Sequence, residues 1–244
     1  MIRALAASEL LSLWESGRTL HRVDRALAML RATCPELPDH ALAELSVGQR
    51  DARLIEAQAA MFGERLDGVA ACPHCGERLE FEIDLADLPR ESAPSAGAPI
   101  TIEDGGLRLS VRPPDSSDLS AIAAARSVED GRRLLLQRCV AVDGGTGGNT
   151  DVALLPAVVL DRISALLSER EAQADVTLAM QCVACGHAWQ LLFDIGVFLW
   201  SEIEACASRL LAEVDALARA YGWREADILA MSGTRRAAYL DMVS

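Results

Sequence analysis

Two cysteine knuckles at a fixed interval constrain this chain more than any other feature. "CPHCGERLEFEID" occupies 72–84 and "CVACGHAWQLLFD" occupies 182–194. A single offset, 182 − 72 = 110, places Cys72 on Cys182, Cys75 on Cys185, Gly76 on Gly186 and Asp84 on Asp194. Behind each knuckle the apolar residues alternate: Leu79, Phe81, Ile83 and Leu85 in the first copy, Trp189, Leu191, Phe193 and Ile195 in the second. Period-2 alternation is the pattern of a strand with one buried face. In a C-x-x-C-G turn the glycine permits positive φ, which lets backbone N–H groups point at the thiolates. Two such turns supply four sulfurs, the set that a tetrahedral structural zinc takes. The spacing therefore predicts one zinc site built from two halves, Cys72, Cys75, Cys182 and Cys185, with 182 − 75 − 1 = 106 residues inserted between them. Four thiolates leave no open position for water, so the metal is expected to supply folding energy and not catalysis.

Other readings of the cysteines fit less well. A redox dithiol usually opens a helix, whereas both pairs here precede strand patterns. Packing as a small buried hydrophobe suits Cys34, Cys139 and Cys206, each alone in a helical context. His74 and His187 adjoin the knuckles, but the four sulfurs already fill a tetrahedral shell.

Composition narrows the function classes. The chain has 244 residues, 51% of them hydrophobic, enough for one large or two small folded domains. All 23 basic residues are arginine, and the net charge is −13. That charge does not attract nucleic acid or an anionic membrane and favours protein partners. A zinc-ribbon nucleic-acid-binding or transcription-associated protein is the alternative class. It would need a basic face, yet the first knuckle segment carries Glu77, Glu80, Glu82 and Asp84 against Arg78. The most apolar late stretch, "LLFDIGVFLW", contains Asp194 and is too short for a membrane span of about 20 residues. Glu9 and Glu15 interrupt any signal-peptide core near the first residues. The expected location is cytoplasmic, with four of the seven cysteines assigned to metal and not to disulfides. "DGGTGGNT" lacks the lysine of a phosphate loop, and neither G-x-S-x-G nor H-E-x-x-H occurs. No enzyme and no small-molecule substrate is expected.

Coarse periodicity predicts an α+β fold. Residues 1–70 read as a helical region. Ser46 with Gln49 forms a capping box opening a helix that Gly63 ends. Residues 71–196 read as a split zinc-ribbon-like β unit with a long mixed insertion at 86–175. Within that insertion "ITIEDGGLRLSV" predicts a hairpin turning at 104–106. A helix capped by Ser117 or Asp118, one from Val128 to Val140, and one from Pro156 to Arg170 follow. A strand from Asp175 to Met180 enters the second knuckle. Residues 197–244 read as C-terminal helices: a long one from Val197 to Ala220, then two short ones broken near Ser232 and Gly233.

Two stretches carry a resemblance. "LSVGQRDARLIEAQAAMFGERLDGVAACPHCGERLEFEIDL", 45–85, resembles baseplate proteins of contractile phage tails and related contractile injection systems, in particular the baseplate hub assembly chaperone group. "LARAYGWREADILAMSGTRRAAYLDMV", 217–243, is similar to a tail found on small proteins of those systems. The resemblance implies assembly or structural work on other baseplate or tail proteins, and no catalytic residues. The last segment concentrates Tyr221, Trp223, Ile228, Arg235, Arg236 and Tyr239. Tyr, Trp and Arg are enriched at interface hot spots, so these residues are the expected partner-binding element.

Overall fold

A computed structural model describes residues 2–88, 98–104, 107–143, 152 and 155–243. Among them, helices and short antiparallel sheets form a mixed α+β fold, with no helix long and apolar enough to cross a membrane.

Four helices build the main body: α1 (Ala7–Gly17), α2 (Arg22–Thr33), α4 (Val47–Phe62) and α8 (Ile195–Tyr221), with the short α3 (Asp39–Ala43) beside them. Their apolar stripes meet in one core. Leu10, Leu30, Leu54, Leu199 and Ile203 lie at its centre, the last four fully or almost fully buried. The Ser46 capping box forms as expected: its hydroxyl accepts from the Gln49 N–H at 3.2 Å while Gln49 Oε1 accepts from the Ser46 N–H at 3.1 Å. Gly63 ends α4 at φ 99°, a conformation that disfavours any residue with a Cβ. α8 starts at Ile195, two residues before the expected Val197, because Asp194 is its cap and accepts from the Val197 N–H at 3.2 Å.

Two hairpins leave this body. β1 (Arg65–Ala71) pairs with β2 (Arg78–Asp84), and β6 (Thr177–Gln181) with β7 (Ala188–Leu192). In each, a knuckle is the turn. The strand β1 is not expected from the sequence, in which 1–70 read as a helical region. Its small Gly68 and Ala70 carry little strand signal, but Gly68 is required, since the Phe81 ring lies where a Cβ would stand.

The inserted segment folds around a core of its own. β3 (Ile100–Asp104), β4 (Leu107–Val111) and β5 (Val140–Asp143) form an antiparallel sheet in that order. Ile102, Leu109, Val111, Val140, Val159 and Ile163 pack beneath it, the last two from α7 (Ala157–Arg170). The turn expected at 104–106 falls partly outside the described residues, and the Asp104–Leu107 pairing agrees with it. The helix expected through Val140 stops at Cys139 as α6 (Val128–Cys139), since Val140 to Asp143 pair with β4. α5 (Ser116–Ile122) is capped by Asp115, not by Ser117 or Asp118: Asp115 Oδ1 accepts from the N–H of Ser117 at 2.8 Å and of Asp118 at 3.0 Å. The Asp118 carboxylate completes the capping box by accepting from the Asp115 N–H at 3.0 Å, and is fully buried between Arg112 and Arg138, at 2.6 Å from each.

α9 (Glu225–Leu229) and α10 (Gly233–Asp241) fold back on α8. Ile228 is fully buried, and Arg236 is buried with Nε 2.7 Å from Glu213 Oε2.

Candidate metal centre

The repeat that the knuckles announce extends through both hairpins. Ala71 pairs with Arg78 and Gln181 with Ala188; Ala70 pairs with Leu79 and Met180 with Trp189. Every one of these pairs maps onto its counterpart by the offset of 110, so the two hairpins share one register. The turns match bond for bond. The N–H of Cys72 donates to the Glu77 carbonyl at 2.8 Å, as that of Cys182 does to His187 at 2.8 Å. The N–H of Gly76 donates to the Cys72 carbonyl at 2.9 Å, as that of Gly186 does to Cys182 at 2.8 Å. Gly76 and Gly186 take φ of 77° and 73°, where an L side chain is strained. Even the exits correspond: Asp84 caps a 3-10 turn and Asp194 caps α8. That exit explains one departure from the expected stripes, because Leu85 and Ile195 are buried at the start of helical turns and not in strands.

The two turns face each other. The Sγ atoms of Cys72, Cys75, Cys182 and Cys185 all lie within 4.8 Å of one another. Cys72 Sγ is 3.7 Å from Cys185 Sγ, and Cys75 Sγ is 3.6 Å from Cys182 Sγ. A tetrahedron with metal–sulfur bonds of about 2.3 Å has edges of about 3.8 Å. The four sulfurs therefore stand close to the spacing that a tetrahedral thiophilic metal requires. Cys72 and Cys182 are buried against Leu79 and Trp189, while Cys75 and Cys185 face solvent.

Electrostatics within the cluster favours a thiolate at Cys72. Burial works to raise its pKa, but the N–H groups of Cys75 and His74 and the neighbouring thiols outweigh it and bring it down to about 7. Cys75 goes the other way. The Glu77 N–H lowers it, yet the surrounding sulfurs push it up to about 12. Four thiols crowded together resist full ionisation without a cation between them, and a divalent metal removes that repulsion.

Neither histidine belongs to the sulfur cluster. His74 stacks on His187 with ring centroids 5.5 Å apart, and His187 stacks on Trp189 at 6.1 Å, so the rings form one stack that joins the two turns. Of the lone cysteines, Cys34 and Cys139 are buried and Cys206 is half-buried, as packing residues should be. Burial, reinforced by the Asp118 carboxylate, pushes the Cys139 thiol up to about 12.

The C-terminal residues divide into two groups. Ile228 and Arg236 are buried within the chain and present nothing to a partner in this conformation. Tyr221, Trp223 and Tyr239 form a cluster at the end of α8, with centroid separations of 4.4 Å, 4.9 Å and 5.7 Å. Arg235 lies over Tyr239 at 5.8 Å. Tyr221 and Arg235 are exposed, and Trp223 and Tyr239 are half-buried.

The missed strand β1 had a signal. Extending the offset upstream sets 65–71 on 175–181, where a strand is expected from the sequence. A family model described as T4 bacteriophage base plate protein matches residues 19–200, from before α2 into α8 and across both knuckles. No curated protein and no solved structure matches the chain.

Proposed function

Because this chain belongs to the T4 bacteriophage base plate protein family, we propose that it is a non-enzymatic structural or assembly protein of a contractile phage tail-like baseplate. It acts through contacts with other baseplate or tail proteins. Its two hairpins are stapled by a structural zinc on Cys72, Cys75, Cys182 and Cys185. The family match carries this reading, since it runs over three quarters of the chain and includes both halves of the sulfur cluster.

Docking falls to the outer side of the C-terminal segment, where Tyr221, Trp223, Arg235 and Tyr239 adjoin one another. Rigid aromatic surface beside an arginine suits a protein interface. Nucleic acid is not a partner in this reading: a net charge of −13 opposes phosphate binding.

Deleting the gene tests the proposal. Cells lacking it should yield sheath and tube material without complete baseplates, restored by the intact gene. Normal numbers of complete, contractile particles would sink the proposal. Mass spectrometry of purified particles then separates a resident component from an assembly chaperone, which leaves.

A further inference from the structure

Each of the two sulfur contacts across the hairpins joins one buried thiol to one exposed thiol. Cys72, 2% exposed, meets the exposed Cys185 at 3.7 Å; Cys182, 1% exposed, meets the exposed Cys75 at 3.6 Å. Both contacts tie the first hairpin to the second. This matters because the β6–β7 hairpin is anchored in the main core only at its open end, by Val176, Phe193 and Leu178. Its inward residues Leu178, Met180, Trp189 and Leu191 are only half-buried, whereas Leu66, Leu79 and Ile83 of the first hairpin are buried. At the knuckle end the sulfurs share the tether with the His74–His187 stack and with Trp189 packed on the cluster of Cys72, Leu79 and Cys182.

We propose that this centre is a two-state clasp, in which oxidation by a hydroperoxide exchanges the metal for two disulfides, Cys72–Cys185 and Cys75–Cys182, that hold the same hairpins together. The inference rests on the four-cysteine metal reading above. The chemistry divides between the exposed and buried sulfurs. With the metal bound all four sulfurs are thiolates, and the exposed one of Cys75 or Cys185 attacks the peroxide, becomes a sulfenic acid and releases one hydroxide. The buried thiol of Cys182 or Cys72 then attacks that sulfur, forms the S–S bond and expels water after proton transfer. Each disulfide consumes two thiols and one hydroperoxide, and the metal leaves as its thiolate ligands are lost. A disulfide needs a sulfur separation of about 2.05 Å, so each pair closes into the space the metal vacates. A disulfide inside either knuckle would do the opposite and let the hairpins part.

Hydrogen peroxide titrated into the isolated protein tests this. Zinc release is followed with a chromophoric chelator, and the product is digested with trypsin without reduction. Cleavage after Arg65, Arg78, Arg170 and Arg209 puts Cys72 and Cys75 in one peptide and Cys182 and Cys185 in another. The expected product is these two peptides joined and lighter by four hydrogens. Two double variants assign the pairing. Cys75→Ser with Cys182→Ser keeps Cys72 and Cys185 and should still cross-link. Cys75→Ser with Cys185→Ser keeps only the two buried sulfurs and should cross-link about tenfold more slowly, because neither is open to the oxidant. Separate peptides with internal disulfides, sulfinic acids, or equal rates in the two variants would overturn the clasp. Metal-free protein that still forms the joined peptides would overturn the metal reading and leave the disulfide clasp standing.

Discussion

Glu171 caps the start of α4 from 123 residues away: its Oε2 accepts from the Gly48 N–H at 2.9 Å. The same oxygen takes the Ser46 hydroxyl proton at 2.5 Å, so Ser46 both caps its own helix and binds the residue that follows α7. A carboxylate at a helix N-terminus also gains from the helix dipole. Glu171 is buried, and its Oε1 has no partner among the described residues. Glu171→Ala should lower unfolding free energy by about 1–3 kcal/mol, the cost of leaving buried donors unpaired. Gly48→Ala should cost a similar amount, because its Cβ would stand where the carboxylate does. Urea denaturation of both variants, and of the double variant, gives the numbers. A double variant no less stable than either single one confirms that the two changes break one contact.

The metal centre makes its own prediction. One zinc per chain is expected by elemental analysis of protein purified without added metal, and iron would be recognised in the same measurement. Cys182→Ser should destabilise the protein by several kcal/mol, since a structural site's binding energy of about 10 kcal/mol is folding energy. The loss should be local at first. Hydrogen exchange should quicken in β6 and β7, while amides of α4 and α8 near Leu54 and Leu199 stay protected. Fully folded, metal-free protein would contradict the assignment.

Stability should respond to pH through Asp51. Burial raises its pKa from 3.8 to about 6, against the Arg50 guanidinium and with help from Asp194 and Glu171. A raised carboxylate pKa means that the folded state binds the proton more tightly than the unfolded state. Its contribution is therefore complete below pH 3.8 and is lost as pH rises towards about 6. The span corresponds to about 3 kcal/mol. Asp118 has the opposite sign. Burial works to raise its pKa, but Arg112, the Asp115 N–H and Arg138 hold it well below the usual carboxylate range, so its stabilisation is lost only in strong acid. Asp51→Asn should flatten the stability profile between pH 4 and 6 and leave the acid limb in place. Thermal melts across that range provide the check.

Asp118 itself should be costly to remove. Its carboxylate accepts from Arg112 at 2.6 and 2.8 Å and from Arg138 at 2.6 Å. Asp118→Ala would leave two partly exposed arginines without their anion, a loss of about 1–3 kcal/mol. The damage should fall on the segment holding α5 and α6, and limited proteolysis should cut there first.

The C-terminal surface separates docking from folding. Arg235 is exposed and only adjoins Tyr239, so Arg235→Glu should leave the melting temperature unchanged and abolish binding of the baseplate partner in co-purification. Truncation at Ala220 is a poor substitute. It would remove Ile228 and uncover Leu217, both fully buried, and the chain should melt lower whatever its partner does. Equal partner binding by Arg235→Glu and the parent chain would move the interface elsewhere.

What the sequence reveals follows from how each feature is encoded. The knuckles, the α4 capping box and the β3–β4 arms are written in contiguous residues, and each is legible. So is the joining of four cysteines across a long gap, because the offset is repeated in the residues around them. Features that depend on partners far along the chain are silent. Nothing in "RLDGVAA" proclaims a strand until Phe81 covers Gly68. Asp118 looks like a helix cap until Arg112 and Arg138 converge on it, and Asp115 does the capping. Ile228 and Arg236 share composition with an interface because interfaces and cores use the same side chains; only the fold shows that α8 already covers them.

Leu88 and Val176 flank the inserted segment, and both are buried in the main core. The segment between them therefore departs from and returns to one anchorage, like a parenthesis in a sentence. Its own sheet and core owe nothing to the cysteines, and the cysteines owe nothing to its length. Evolution can lengthen, shorten or exchange the words inside without rewriting the clause outside, provided that Glu171 still reaches Ser46 and that the Pro114–Asp115 backbone still pairs with Ser46 and Val47. Related chains are expected to vary most in size there, with the same two knuckles brought together at either end.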